Sequence, residues 1–271
     1  MTTPSSSTTR IKAGELAVRT DQLLGVEQVL VRSSERRPHL PQTVDSQDRP
    51  GAGAVAEQDP RPLIAAPPIV VSPDGSAAER LADLQSIHAA QCPQCTHSDA
   101  HQNLVFGEGN PEARLMFVGE APGVEEDRTG RPFVGRAGHK LDEMIKAMGF
   151  TREEVYIANV LKSRPPDNRT PLQHEVEACG PYLAAQTRII SPEVIVALGG
   201  PAAKLLLKTE TGITRLRGVW GVYDDGEGQW PVMPTFHPAY LLRNPTLEVR
   251  GQVWDDLKAV LERLGRPVPG H

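Results

Sequence analysis

The chain has 271 residues, a formal net charge of -5 at neutral pH and 3 cysteines. An acidic balance gives no support of its own to a nucleic-acid partner, so any such role needs a local basic patch. Met1 to Lys12 lacks the apolar core of a secretory signal, no run of about 18 apolar residues marks a membrane span, and three cysteines do not make a disulfide framework. A cytoplasmic protein with no membrane partner is the expectation.

Residues 1–76 are dominated by Ser, Thr, Pro, Gln and Arg, and 38–73 is rich in proline. This composition predicts a largely disordered N-terminal extension of unknown partner. Within it, 15–31 carries leucines and valines at loosely helical spacing and reads as a transient helix. From Ala77 to residue 265 the pattern becomes alternating βα, the signature of one α/β domain. Helices are predicted over Ala77–Gln91, Gly138–Met148, Leu172–Ile190 and Thr246–Leu264, with a short one from Gly199-Gly200-Pro201 to Leu207. Apolar runs at Arg114–Val118, Val155–Leu161 and Glu193–Leu198 read as buried strands, with further strands at Val219–Tyr223 and Val232–Thr235. The fold expected is a three-layer α/β/α sandwich around a mostly parallel sheet.

Such sheets build ligand sites beyond the C-terminal ends of their strands. Four segments sit there. After the first strand comes Gly119-Glu120-Ala121-Pro122-Gly123, followed by Gly130 to Gly138 (GRPFVGRAG). Glycines let backbone approach a ligand, Pro122 stiffens the loop, and Glu120 is a carboxylate that either positions water or merely caps the turn. Phe133 is either a core aromatic or a flat face for stacking a base. In the second strand Asn159 interrupts an apolar run; its amide offers the donor and acceptor that match one edge of uracil, or else ties two loops. Lys162, Arg164 and Arg169 lie in a following basic loop suited to phosphates. After the last strand, His237 can donate to an oxygen gaining negative charge. Tyr240, Leu241, Leu242 and Arg243 form an apolar tip with a cation, able to push into a duplex. The set suits a planar heterocycle leaving as an anion. It does not suit phosphoryl transfer or an acyl-transfer serine, whose loop motifs are missing.

At GEAPG (119–123), EDRTGRPFVGRAG (126–138), VYIANVLKSRPPDNR (155–169) and HPAYLLRNP (237–245), together with VFGEGNP (105–111), the chain resembles the iron–sulfur uracil-DNA glycosylases of family 4. The resemblance spans about 105 to 264 and leaves residues 1–76 outside. It implies a monomeric DNA-repair enzyme that flips uracil out of DNA and hydrolyses its N-glycosidic bond. The alternative is a non-catalytic DNA-binding member of the same fold. By resemblance, Glu120 and Asn168 serve the water and the sugar cation, and His237 serves the uracil O2. Gly119, Ala121, Phe133 and Asn159 hold the base, and Glu126 walls its C5 position against a methyl group.

The resemblance also implies a [4Fe–4S] cluster on four cysteines. Cys92, Cys95 and Cys179 match three of the positions, but position 163 is Ser. Serine oxygen is a harder and poorer donor to iron than thiolate. Four outcomes stay open: Ser163, His97 or His101 completes the set, a three-cysteine cluster forms, a zinc site forms from the cysteines and a histidine, or the centre is lost.

Overall fold

A computed structural model describes residues 69–96 and 101–270. The expectations for residues 1–68, including the helix at 15–31, lie outside the described residues, as does His97.

The chain enters through helix α1 (Ala77–Gln91), whose start is fixed by a reciprocal cap. The Glu79 N–H donates to Ser76 Oγ (3.3 Å), and the Ser76 N–H donates to Glu79 Oε2 (2.7 Å). Helix α2 (Pro93–Thr96) follows, then strands β1 (Glu108–Gly109) and β2 (Leu115–Gly119). Helices α3 (Val124–Thr129) and α4 (Arg136–Ala147) lead to β3 (Tyr156–Asn159). Next come α5 (Gln173–Ile190), β4 (Val194–Leu198), α6 (Gly200–Leu207), α7 (Ile213–Leu216), β5 (Gly221–Asp224) and β6 (Gln229–Thr235). Helices α8 (Pro238–Arg243) and α9 (Leu247–Arg263) complete the order.

The six strands form one sheet in the order β1-β3-β2-β4-β6-β5. The four inner strands run parallel, and β1 and β5 pair antiparallel at the two edges. Strand alternation sends neighbouring side chains to opposite faces, so two cores form. Met116, Val118, Tyr156 and Ile195 pack with α1, α5 and α6. Leu115, Phe117, Ile157 and Val196 pack with α4 and α9. That is the expected three-layer sandwich, with every residue of β2 and β4 buried.

Most elements fall where periodicity places them; the differences are at ends and in short pieces. Helix α4 begins at Arg136 rather than Gly138, because Gly135 is its N-cap. Gly138 serves another purpose inside that helix. A Cβ there would stand 2.0 Å from the carbonyl oxygen of Phe133, so only glycine lets the helix lie against that loop. Strand β1 and helices α2, α3, α7 and α8 span six residues or fewer, too few to show a period.

Candidate functional site

The parallel strands β2, β3, β4 and β6 all end on one side of the sheet, and three of those ends converge. Gly119 closes β2 and pairs in register with Asn159 at the end of β3. A Cβ on Gly119 would lie 2.4 Å from Asn159 Oδ1 and 2.5 Å from the Phe133 ring. Both side chains therefore lean on bare backbone. Asn159 is buried, and its Oδ1 has no hydrogen-bond partner among the described residues. A buried amide oxygen left open is costly unless something binds there.

Phe133 sits at φ 50, a left-handed conformation that a bulky residue rarely adopts. Two charged side chains hold it. Arg152 donates to the carbonyls of Phe133 (3.2 Å) and Pro132 and to Asp142 Oδ1 (2.7 Å). Glu126 Oε1 accepts from the Val134 and Gly135 N–H groups, both at 2.9 Å, while its Oε2 accepts from the Gly123 N–H at 3.1 Å. One carboxylate thus clasps the GEAPG loop to the PFVG loop. Sequence reading missed this bracing by Glu126 and Arg152.

The third wall comes from the end of β6. His237 is the N-cap of α8, and its Nδ1 accepts from the Ala239 N–H at 3.1 Å. That bond places the neutral ring's proton on Nε2. Burial, aided by Arg243, pushes the imidazole pKa down to about 4, so the ring is neutral at physiological pH. Its centroid lies 5.7 Å from that of Phe133. Gly199, at φ 91 after β4, gives it room: a Cβ there would come within 3.0 Å of the His237 Cβ. Glu120 is half-buried beside Gly119, and burial raises its pKa above the ordinary carboxylate value. It borders a cleft of about 600 Å³ with Val160, Thr170, Gln173, Gly200 and Lys204. Ala121 is half-buried on the same loop.

The residues expected at a DNA surface fare unevenly. Lys162 is a correction: it is fully buried, so it cannot meet a phosphate. Its ammonium donates to the Asn159 carbonyl at 2.7 Å and to Gln186 Oε1, and lies over the Phe106 ring. Leu241 is a second correction. At 3% exposure it packs with α4 and α9 in the core, while Leu242 is half-exposed and Arg243 exposed. Tyr240 stacks on Phe236, with centroids 4.6 Å apart. Arg169 grips Glu175 through two bonds of 2.7 and 2.8 Å. Arg164 donates to Asn168 Oδ1 at 2.7 Å, and Asn168 is exposed at φ 53 on the turn Pro166–Asn168.

A second cluster lies within the α1/α5 core. Cys92, Cys95 and Cys179 come together with His88, all four buried, their donor atoms within 4.8 Å of one another. Hydrogen bonds from Cys179 and Cys95 hold the Cys92 thiol well below its usual pKa, whereas the bond to Cys92 drives Cys179 up. Three sulfurs this close compete for protons, a conflict a metal cation removes. The donor set therefore suits a metal ion. Ser163 is buried beside it, with its Oγ accepting from Cys95 Sγ at 3.4 Å. His101 is not among the grouped donors. His88 was missed in the sequence, although His88, Cys92 and Cys95 recur at the i, i+4, i+7 spacing of one helical face.

The profile of the Uracil DNA glycosylase superfamily matches residues 106–258. A Type-4 uracil-DNA glycosylase of Thermotoga maritima is 48% identical over 181 residues, covering 66% of this chain and 93% of that protein. One of Archaeoglobus fulgidus is 44% identical over 183 residues, covering 66% and 90%. A Type-5 uracil-DNA glycosylase of Mycobacterium leprae is 35% identical over 130 residues, covering 42% and 56%.

Proposed function

This chain belongs to the uracil-DNA glycosylase superfamily, and on that footing we propose that it is a DNA-repair glycosylase that hydrolyses the bond between uracil and deoxyribose. The observation that carries the reading is the convergence of Phe133, Asn159 and His237 on the bare backbone of Gly119 and Gly199. A base within a duplex is out of reach, so it must be extruded at a cost of a few kcal/mol. The flipped uracil stacks on Phe133. The open Oδ1 of Asn159 accepts from uracil N3–H, and its amide nitrogen donates to O4.

As the C1′–N1 bond breaks, its electron pair goes to uracil and positive charge develops on the sugar. The neutral His237 donates its Nε2–H to O2, where part of that negative charge settles. Glu120, ionised, faces the sugar cation and orients the water whose oxygen bonds to C1′. The water gives up one proton to Glu120 and on to solvent, the uracil anion takes one proton from solvent, and an abasic site and free uracil result. A uracil-containing oligonucleotide treated with the protein and then alkali tests this reading. Scission at uracil is expected; intact strand with DNA binding retained would leave only the non-catalytic alternative.

Two expectations follow for the pocket. The raised pKa of Glu120 sets the acid limb of kcat/KM above the ordinary Glu value of about 4.3, because activity needs the carboxylate and fades as pH falls through its pKa. His237, already neutral above about pH 4, contributes no fall in that range. In Glu120→Gln the plateau should drop and this limb vanish; a limb that persists unchanged assigns it elsewhere. Asn159→Asp should weaken discrimination against cytosine, since a carboxylate accepts from the cytosine amino group but cannot donate to O4. If uracil excision and cytosine rejection both stay unchanged, Asn159 does not read the base.

The Cys/His cluster packs in the core with α1 and α5, not in the one that holds Phe133. Its place in the core assigns it to stability. An iron–sulfur cluster is what the resemblance implies for that centre, from the spacing of Cys92, Cys95 and Cys179, but Ser163 stands at the fourth position. Such a cluster would supply no step of the hydrolysis.

A further inference from the structure

We propose that His88, not Ser163, is the fourth ligand of the buried centre, and that the centre holds a single tetrahedral zinc ion. The inference stands on the cluster alone and is independent of the activity. At Zn–S of about 2.3 Å and Zn–N of about 2.0 Å, ligand atoms on a tetrahedron stand about 3.8 Å apart for two sulfurs and about 3.5 Å for nitrogen and sulfur. Cys92 Sγ and Cys179 Sγ are 3.9 Å apart, and His88 Nε2 is 3.4 Å from Cys95 Sγ. No pair of the four donor atoms exceeds 4.8 Å. A four-iron cubane hangs each ligand on a different iron, so the body of the cube holds the ligand atoms well apart. Donor atoms all within 4.8 Å of one another fit around one ion instead.

His88 has no other evident task. It is 0% exposed, its Nδ1 has no hydrogen-bond partner among the described residues, and its Nε2 points at the sulfurs. The edge of the neighbouring ring system fixes its plane, with Tyr182 at 84° and a centroid distance of 4.7 Å. Helix α1 delivers it: His88 lies one turn before Cys92, whose N–H donates to the His88 carbonyl at 3.0 Å. Ser163 is left as a hydrogen-bond partner of Cys95 Sγ, a hydroxyl that steadies a ligand without being one. Three thiolates and a neutral imidazole around a divalent ion leave one negative charge.

The test is metal content in full-length protein expressed with iron and zinc both supplied and purified without oxygen. One zinc per chain, no acid-labile sulfide and no visible iron–sulfur absorption are expected. Iron and sulfide in place of zinc would overturn the single-ion assignment. His88→Ala should lose zinc at least about ten-fold faster to a chelator, while Ser163→Ala keeps its zinc. The reverse order would make Ser163 the ligand. Since His88→Ala risks misfolding, His88→Cys provides a second variant. It should retain one metal, and after cobalt exchange show the tetrahedral d–d bands with added thiolate character. A His88→Cys protein that folds but whose cobalt spectrum matches wild type would place His88 outside the ligand set.

Discussion

His237→Ala lowers the rate of uracil excision by about 10²- to 10³-fold in kcat, the usual cost of removing one donor aimed at a developing oxyanion. The loss should appear in single-turnover kcat more than in DNA affinity, because the bond to O2 strengthens only as the glycosidic bond breaks. The structure makes the donor's identity specific. The Ala239 N–H occupies Nδ1, and the ring titrates near pH 4, so the group at work is a neutral imidazole with its proton on Nε2. Wild-type activity should therefore show no loss attributable to imidazole titration from pH 8 down to about pH 5. A His237→Ala protein with its rate intact, or one whose defect lies wholly in binding, would remove His237 from the chemistry.

Gly119→Ala produces the other large effect, about 10²-fold, by displacing groups that position the base. The added methyl would lie 2.4 Å from Asn159 Oδ1 and 2.5 Å from the Phe133 ring. Neither contact is tolerable, and both involve side chains rather than backbone, so the fold should survive while the pocket is spoiled. Gly119 has an ordinary backbone conformation, absent from the positive-φ glycines, so strain is not the cause. Retained melting temperature with lost excision is the expected pairing. Equal loss of both would mean that Gly119 serves packing, and full activity would mean that the base does not sit against these residues.

The architecture was legible in the sequence because β2 and β4 are unbroken apolar runs that only a doubly covered sheet can bury. The candidate pocket was proposed on the same ground, since Gly119, Asn159 and His237 stand at or just beyond the ends of β2, β3 and β6. What the sequence hid depends on which way a side chain turns once the chain is folded. Lys162 looked like part of a basic surface, but its ammonium turns inward to the Asn159 carbonyl and the cysteine cluster. Leu241 looked like a wedge, but α8 directs it into the core. His88 lies before the Cys-x2-Cys pair, outside the spacing that drew attention to positions 163, 97 and 101. Only the turn of α1 brings it to the sulfurs. Glu126 was expected to wall the base, yet its role as a clasp depends on two loops meeting, which no local pattern reveals.

On the proposed function, one site made from the ends of β2, β3 and β6 removes uracil from DNA. Its most direct test is mass-spectrometric measurement of free uracil released from a single-uracil duplex by wild type and by the Glu120→Gln, His237→Ala double variant, both checked for folding and DNA binding. One uracil per duplex from wild type, and almost none from a variant that still binds, is the predicted result. Equal release by the two proteins would contradict it.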